Sequence, residues 1–355
     1  MWGGSVWLQI FNPSREPHLP LNQAHCRARY VEYGLMDQPN QSPSRVSSAP
    51  QHAASVLVII LNFNGIADTL ACLESLATQT DPDFAVLVID NGSRDDDLSP
   101  IHAQHPNVEV MALPQNLGWA GGNNVGMKLA TERGVGAVCL LNNDTVLFPT
   151  TLADLRAASV MIAKPCLLHP VIAFFDQPDK WQIHPLPIAE GGEDFPALDI
   201  VQMTFAYGAC MWLSGEVLAR VGLFDERFFL QLEESDYFER AKPHGFRSYC
   251  ARRAKILHKE SATFGGKITP AKTYYQVRNS LLMIEKHARS VARLRYLMVE
   301  LFWALIRQAR ASNPDFTGRL ALLRWLFSGD PLAAASRAGM RDYALRRFGK
   351  RRMTS

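Results

Sequence analysis

The sequence has no uninterrupted apolar run of the roughly 18 residues that a membrane-spanning helix requires, so no spanning segment is expected. Its first residues also lack the basic stretch followed by an apolar one that marks a secretory signal. Cysteine is sparse: Cys26, Cys72, Cys139, Cys166, Cys210 and Cys250 are scattered, no pair has metal-ligand spacing, and several sit in apolar runs. Reduced thiols in a core are expected from this, with neither zinc nor a disulfide framework. A net charge of +3 gives no basis for a nucleic-acid partner. The Gly-any-Gly-any-any-Gly turn of a dinucleotide-dependent oxidoreductase is also absent, because the first apolar run leads into Asn62-Phe63-Asn64-Gly65.

What is present suffices for one large α/β domain with appendages or for two modest domains. Residues 1–53, rich in Pro, Ser, Gln and Asn, show no periodicity and read as disordered or poorly ordered, with Met36 a candidate alternative start. Val56 to Leu61 is a continuous apolar run of strand length, as in a parallel sheet buried on both faces. Leu70, Leu73, Leu76 and Ala77 then recur at helical spacing. Ala85 to Ile89, Val108 to Leu113 and Ala137 to Leu141 read as further strands, and Asn124 to Arg133 as a helix. This alternation predicts an α/β fold on a doubly wound, mostly parallel sheet.

From Lys164 to Asp199 the pattern is lost among six prolines, which predicts a long, variable-looking connection. Order is expected again at Gln202 to Leu213, with short helices at Glu216 to Val221 and Glu233 to Lys242. Beyond Tyr274 the chain reads as helical. Leu294, Leu297, Met298, Leu301, Phe302 and Leu305 form one apolar stripe. Trp303 and Trp325 read as exposed, and Arg337, Arg341, Arg346, Arg347, Lys350, Arg351 and Arg352 crowd the end against Asp342 alone. Such a tail suits either an anionic membrane face or plain solvation.

The densest chemistry lies in Asn116-Leu117-Gly118-Trp119-Ala120-Gly121-Gly122-Asn123-Asn124 and in Leu140-Leu141-Asn142-Asn143-Asp144-Thr145. A strand ending in a lone carboxylate beside a loop of small and amide residues can hold a metal-diphosphate at the carboxyl edge of a sheet. Asp90 and Asp144 could equally end their strands in Asx turns, and the acidic run Glu233-Glu234-Ser235-Asp236 could simply favour a helix N-terminus.

The ordered set "VIILNFNG", "LVIDNGS", "NLGWAGGNN" and "LLNNDT", followed by the block from Gly208 to Arg240, "ILHKESATFGG" and "YYQVRNSLLMIEKH", resembles the family 2 glycosyltransferases of the GT-A fold over Ser55 to His287, rhamnosyltransferase-like bacterial members above all. The resemblance implies a GT-A domain over 54–290, with a nucleotide-sugar half at 54–150 and an acceptor half at 200–270, and a basic helical extension at 291–355. It implies that Asp90 accepts the imide N–H of uracil or thymine, that Phe63 stacks on the base, and that Asn64, Asn116, Gly121, Asn123, Asn124 and Asn143 shape the nucleotide-sugar site. A divalent cation, Mg²⁺ or Mn²⁺, would bind Asp144 and His258, although the usual first acid of the metal motif is here Asn142. Glu234 would be the general base, with Glu233 and Asp236 as alternatives, and Gly265-Gly266 a hinge. The implied reaction is inverting transfer from dTDP-L-rhamnose or a UDP-hexose to a saccharide or polyprenyl-linked acceptor, in the cytoplasm or peripherally on the inner membrane. A catalytically silent saccharide-binding protein of the same fold is the alternative, because Asn142 and Glu234 both depart from the commonest pattern.

Overall fold

The computed structural model describes residues 55–94, 97–182, 194–195, 199–259, 268–314, 316 and 319–351. Residues 1–53, the Gly265-Gly266 hinge and Arg352 lie outside the described residues.

A ten-stranded sheet runs through the molecule in the order β3-β2-β1-β4-β9-β6-β10-β8-β7, with β5 paired to β10. The first four strands are β1 (Val56–Asn62), β2 (Phe84–Asp90), β3 (Glu109–Ala112) and β4 (Ala137–Asn142), all parallel. Their crossovers are α1 (Ile66–Ala77), α2 (Ser99–Gln104) and α3 (Gly118–Arg133). Alternation along β1 explains its unbroken apolar run. Val56, Val58 and Ile60 face a core closed by Leu73, Leu76 and Ile101, whereas Leu57 and Ile59 face one closed by Ala120 and Met127. Burying each such side chain contributes about 1.5–3 kcal/mol, so neither face can be polar until the strand ends at Asn62.

Beyond β4 the sheet becomes mixed. β5 (Thr145–Leu147), α4 (Thr151–Ile162), β6 (Leu167–Phe174), β7 (Asp194–Phe195), β8 (Ile200–Met203) and β9 (Cys210–Ser214) precede α5 (Gly215–Val221), α6 (Glu233–Ala241) and β10 (Ser248–His258). β9 is antiparallel to both β4 and β6, and β6 is parallel to β10. The connection expected over Lys164 to Asp199 therefore contains the buried strand β6, with Pro170 inside it. Proline is tolerated there because β9 pairs only with Leu167 and Leu168, and the ladder to β10 shifts register just after Pro170. The order expected over Gln202 to Leu213 takes the form of two strands, β8 and β9. The glycine-rich segment is not a loop preceding a helix at Asn124; it forms the first turns of α3, which starts at Gly118.

The C-terminal helices α7 (Pro270–His287), α8 (Val291–Ser312), α9 (Arg319–Leu326) and α10 (Pro331–Ala344) share a core of Val277, Leu301, Leu305, Ile306, Leu322 and Trp325. The expected stripe on α8 is half right. Leu297, Leu301 and Leu305 are buried, while Leu294 and Met298 are exposed. Trp325 is buried and Trp303 packs partly buried against the same cluster, so neither is the free aromatic anchor that was expected. The basic tail is also committed to the protein. Arg346 pairs with Glu285, Arg341 with Asp342, and Arg337 donates to the carbonyls of Leu326 and Ser328. Among the described residues no helix is long and apolar enough to cross a membrane.

Candidate active site

Register at the carboxyl edge of the parallel strands brings Asn62 opposite Asp90 and Leu61 opposite Asn142. The edge lies where β1 stands between crossovers running in opposite directions, the position at which open α/β sheets bind ligands. Asn62, fully buried, donates to Asp90 Oδ1 at 2.9 Å and accepts from Thr69 at 2.9 Å. Asp90 also accepts from the Ser93 hydroxyl and from the Ser93 backbone N–H at 3.1 Å. Three donors on a carboxylate with about four lone-pair sites leave capacity for one more, so the turn does not exhaust its acceptors. Asn64, at a left-handed φ of 52°, joins the loops after β1 and β2 by accepting from Arg94 N–H at 3.0 Å, with Phe63 half-buried beside it.

The second loop is tied by a residue the sequence reading overlooked. Asn91 accepts from Leu117 N–H at 2.9 Å and donates to the Gly118 carbonyl at 3.0 Å and to Asn116 Oδ1 at 3.3 Å. Gly118 has φ of 77°, and a Cβ there would strike the Phe229 carbonyl. Gly121 is buried in the first turn of α3, and Asn123 donates to the Trp119 carbonyl at 2.9 Å. Asn124 is spent on the other half of the molecule: it donates to the Phe224 carbonyl and Glu226, and accepts from Phe224 N–H at 2.9 Å. Asn143 donates to Thr69 at 3.1 Å and the Gly65 carbonyl at 3.2 Å. Asn124 and Asn143 thus brace the walls of the site through their amides.

Asp144 and His258 are brought together by the pairing of β10 with β5, which sets His258 opposite Thr145. His258 Nε2 lies 3.2 Å from Asp144 Oδ1, and both side chains are buried. Gln182 fixes the imidazole. Its Nε2 donates to the His258 carbonyl at 2.8 Å, which turns its Oε1 toward His258 Nδ1, also at 2.8 Å. An amide oxygen only accepts, so Nδ1 carries a proton, and Nε2 presents a lone pair to a carboxylate unless a cation, a proton or a metal ion, sits between them. No group of three or more His, Cys, Asp or Glu suited to a metal occurs among the described residues. Two protein ligands suit a hard divalent cation that takes its remaining oxygens from phosphate and water. Gln182 was invisible in sequence because it falls within the proline-rich stretch.

Asn142 Oδ1 accepts from the Trp119 indole N–H at 3.0 Å. Trp119 in turn borders the acidic helix: a Cβ on Gly208 would lie 3.3 Å from its ring and 3.8 Å from the Glu234 carboxyl carbon. Three acids crowd the first turn of α6, and the structure separates them. Asp236 is fully buried and meets Arg240 at 2.9 Å, Lys286 at 2.6 Å and His287 at 2.8 Å. Burial alone would raise its carboxyl, but His287 and Lys286 hold it below the ordinary range. Glu233 is buried, with no partner for its Oε2 among the described residues; burial and the neighbouring Glu234 push it well up. Glu234 is partly exposed, and burial raises it to about 7. Burial thus raises both glutamates, whereas the groups gathered on Asp236 lower it.

Residues 57–218 match the sequence model described as Glycosyl transferase family 2. The chain is 23% identical over 256 residues to the dTDP-rhamnosyl transferase RfbF of Shigella flexneri, covering 66% of this chain and 81% of that one. It is 25% identical over 221 residues to the N-acetylglucosaminyl-diphospho-decaprenol L-rhamnosyltransferase of Mycobacterium tuberculosis, covering 54% and 72%. Among solved structures, the mannosyltransferase PcManGT from Pyrobaculum calidifontis, in complex with GDP-Man and Mn²⁺, superposes with a TM-score of 0.50 at 17% identity, covering 92% of this chain and 93% of that one. The fold is the GT-A fold. Residues 57–218 thus form a family 2 glycosyltransferase domain, and the protein is a glycosyltransferase.

Proposed function

We propose that the enzyme moves a sugar with inversion from a nucleoside-diphosphate donor, dTDP-L-rhamnose or a UDP-hexose, to a hydroxyl of a saccharide or lipid-linked saccharide in cell-surface polysaccharide assembly. The observation that carries this reading is the opposition of His258 Nε2 and Asp144 Oδ1 at 3.2 Å, at the same sheet edge as Asp90. In this reading Asp90 takes the base imide, Phe63 stacks on the base, and Asn64, Asn116, Gly121 and Asn123 shape the diphosphate path. Asp144 and His258 would hold Mg²⁺ or Mn²⁺, with Gln182 setting the tautomer. A divalent cation there supplies positive charge for the leaving diphosphate. Glu234 takes the proton of the attacking hydroxyl, beside Trp119, whose ring offers an apolar face to a sugar. Asp236 is excluded as the base in this reading because every approach to its carboxylate is taken by cations. The rhamnosyl donor is supported by the two relatives' names, and the lipid-linked acceptor by the mycobacterial one.

Peripheral contact with an anionic membrane, on its cytoplasmic face, belongs to the same proposal. The C-terminal helices support it better than the tail does. Val291, Leu294, Met298 and Val299 on α8, Leu320 and Leu323 on α9 and Phe327 just after it are exposed, and the same two helices expose Arg295, Arg310 and Arg324.

The proposal is tested with a panel of dTDP-, UDP- and GDP-sugars, scored for Mn²⁺-dependent binding and for slow release of nucleoside diphosphate with water as acceptor. Binding of one or more donors only when metal is present is the expected result. Equal donor affinity with and without metal would remove the cation from the reading.

A further inference from the structure

The segment leading into the base helix is held in a backbone conformation that its own residues disfavour. Phe229, Gln231 and Leu232 have φ of 63°, 72° and 71°, the left-handed region that favours glycine, and none of them is glycine. Leu232 is the residue on which α6 begins, immediately before Glu233 and Glu234, and no side chain caps that helix start. Strain of this kind persists only where the surroundings over-determine the conformation.

The surroundings do so by binding every carbonyl from Arg227 to Gln231. Arg278 Nη2 donates to the carbonyls of Arg227 and Phe228, each at 2.8 Å. Asn279 Nδ2 donates to those of Phe228, Leu230 and Gln231 at 2.9, 2.8 and 2.7 Å. The remaining carbonyl, that of Phe229, accepts from Trp119 N–H at 2.7 Å, where α3 begins beside the donor edge. Arg278 and Asn279 are themselves fully buried. Arg278 Nε donates to Asn279 Oδ1 at 3.0 Å and Nη1 to the Gly349 carbonyl at 2.7 Å, and the Tyr275 ring lies 4.9 Å from the guanidinium. A buried cation hydrogen-bonded to neutral carbonyls is costly to hold for stability alone. The same helix grips α6 a second time through Lys286 and His287 on Asp236.

We propose that Arg278 and Asn279 are positioning residues for catalysis: they gather the carbonyls of 227–231, hold the strained turn, and so aim Glu234 at the cleft while locking it to the start of α3. This rests on the reading of Glu234 as the general base. The basic C-terminal turn acquires a role in it, since Gly349 seats Arg278 from behind.

The test uses the full-length protein with Asn279→Ala, Arg278→Lys, and Asn279→Ala combined with Gln231→Gly. Three quantities are read on folded protein: donor Kd with Mn²⁺, the rate of nucleoside-diphosphate release from dTDP-rhamnose or UDP-glucose, and amide exchange over 228–234. Asn279→Ala is expected to speed exchange in that segment and to lower the rate about tenfold to a hundredfold, the scale of a small misplacement, with donor Kd within about twofold. Arg278→Lys, which replaces a fork of donors by a point charge, is expected to shift rate and exchange in the same direction. Gln231→Gly, by making the left-handed bend inexpensive, is expected to restore much of the rate in the Asn279→Ala background. Unchanged exchange in Asn279→Ala would overturn the clamp. Faster exchange with an unchanged rate, or rate and donor affinity falling together without rescue by glycine, would overturn its catalytic part. Should the unmodified protein release no nucleotide, the functional reading fails while the exchange result still decides the clamp.

Discussion

The donor edge and the base helix meet at Trp119 but are built from different materials. At the edge, Asn62, Asn91, Asn116 and Asn143 tie consecutive loops by amide hydrogen bonds to backbone, to hydroxyls and, from Asn62, to the Asp90 carboxylate. Around α6 the ties are charged and buried: Asp236 with Arg240, Lys286 and His287, Asp225 with Arg227 and Lys286, and Arg278 with a set of carbonyls. Amide ties shape the edge around its two carboxylates, Asp90 and Asp144, without adding further charge. A helix that must hold one carboxyl with its proton affinity near neutral needs its other charges locked in pairs, because any unpaired charge nearby would move that affinity. The edge is therefore expected to tolerate change in its framework better than the base region does.

The largest expected effect breaks the edge where it is charged. Asp144→Ala leaves His258 without its partner and is expected to remove metal-dependent donor binding and to lower turnover about a thousandfold or more, measured as nucleotide release against Mn²⁺ concentration. Retained metal-dependent turnover would dismiss Asp144 as a ligand.

Next, Glu234→Gln separates base from edge. Turnover is expected to fall about a hundredfold with donor Kd unchanged. In the unmodified enzyme the rate is expected to rise with pH around 7 as Glu234 ionises, and the glutamine variant should lose that limb. The sign for stability is opposite. A carboxyl raised from 4.5 to about 7 favours the fold below its unfolded value and loses that contribution as pH climbs through 7. The permanently neutral glutamine should therefore stabilise the protein at pH 8 by about 1–2 kcal/mol, allowing for solvent contact, seen as a higher Tm.

Gln182→Ala probes a smaller term on the edge. Without Oε1 on Nδ1 the imidazole tautomer is no longer fixed, and Mn²⁺ affinity is expected to fall about tenfold to a hundredfold, read by titration calorimetry with donor present. The smallest effect concerns neither region. Leu320→Ser with Phe327→Ser is expected to weaken binding to vesicles containing phosphatidylglycerol about threefold to tenfold at low salt, while Lys350→Glu leaves it nearly unchanged. The reverse pattern would return the anchor to the basic tail.

How much of this was legible follows from how far each contact reaches along the chain. The strand of Val56 to Leu61, the turn at Asp90 and the end of β4 at Asn142, two residues before Asp144, announce themselves because burial on both faces and polar strand ends are written in consecutive residues. Glu234 is singled out among three acids by resemblance alone; what separates it physically from Glu233 and Asp236 is depth and the α7 residues Lys286 and His287, which no neighbouring residue encodes. Trp325 read as exposed because its neighbours in sequence say nothing of the packing of α8 against α9.

By itself the sequence determined the parallel half of the sheet and its carboxyl edge, because apolar alternation and strand ends are local properties of the chain. Tertiary structure alone decided that His258 faces Asp144 with Gln182 behind it, that Asn124 and Asn143 brace walls through their amides, and that the tail packs under α7. Each of those outcomes depends on register between strands or helices scores of residues apart, which no run of neighbouring side chains encodes.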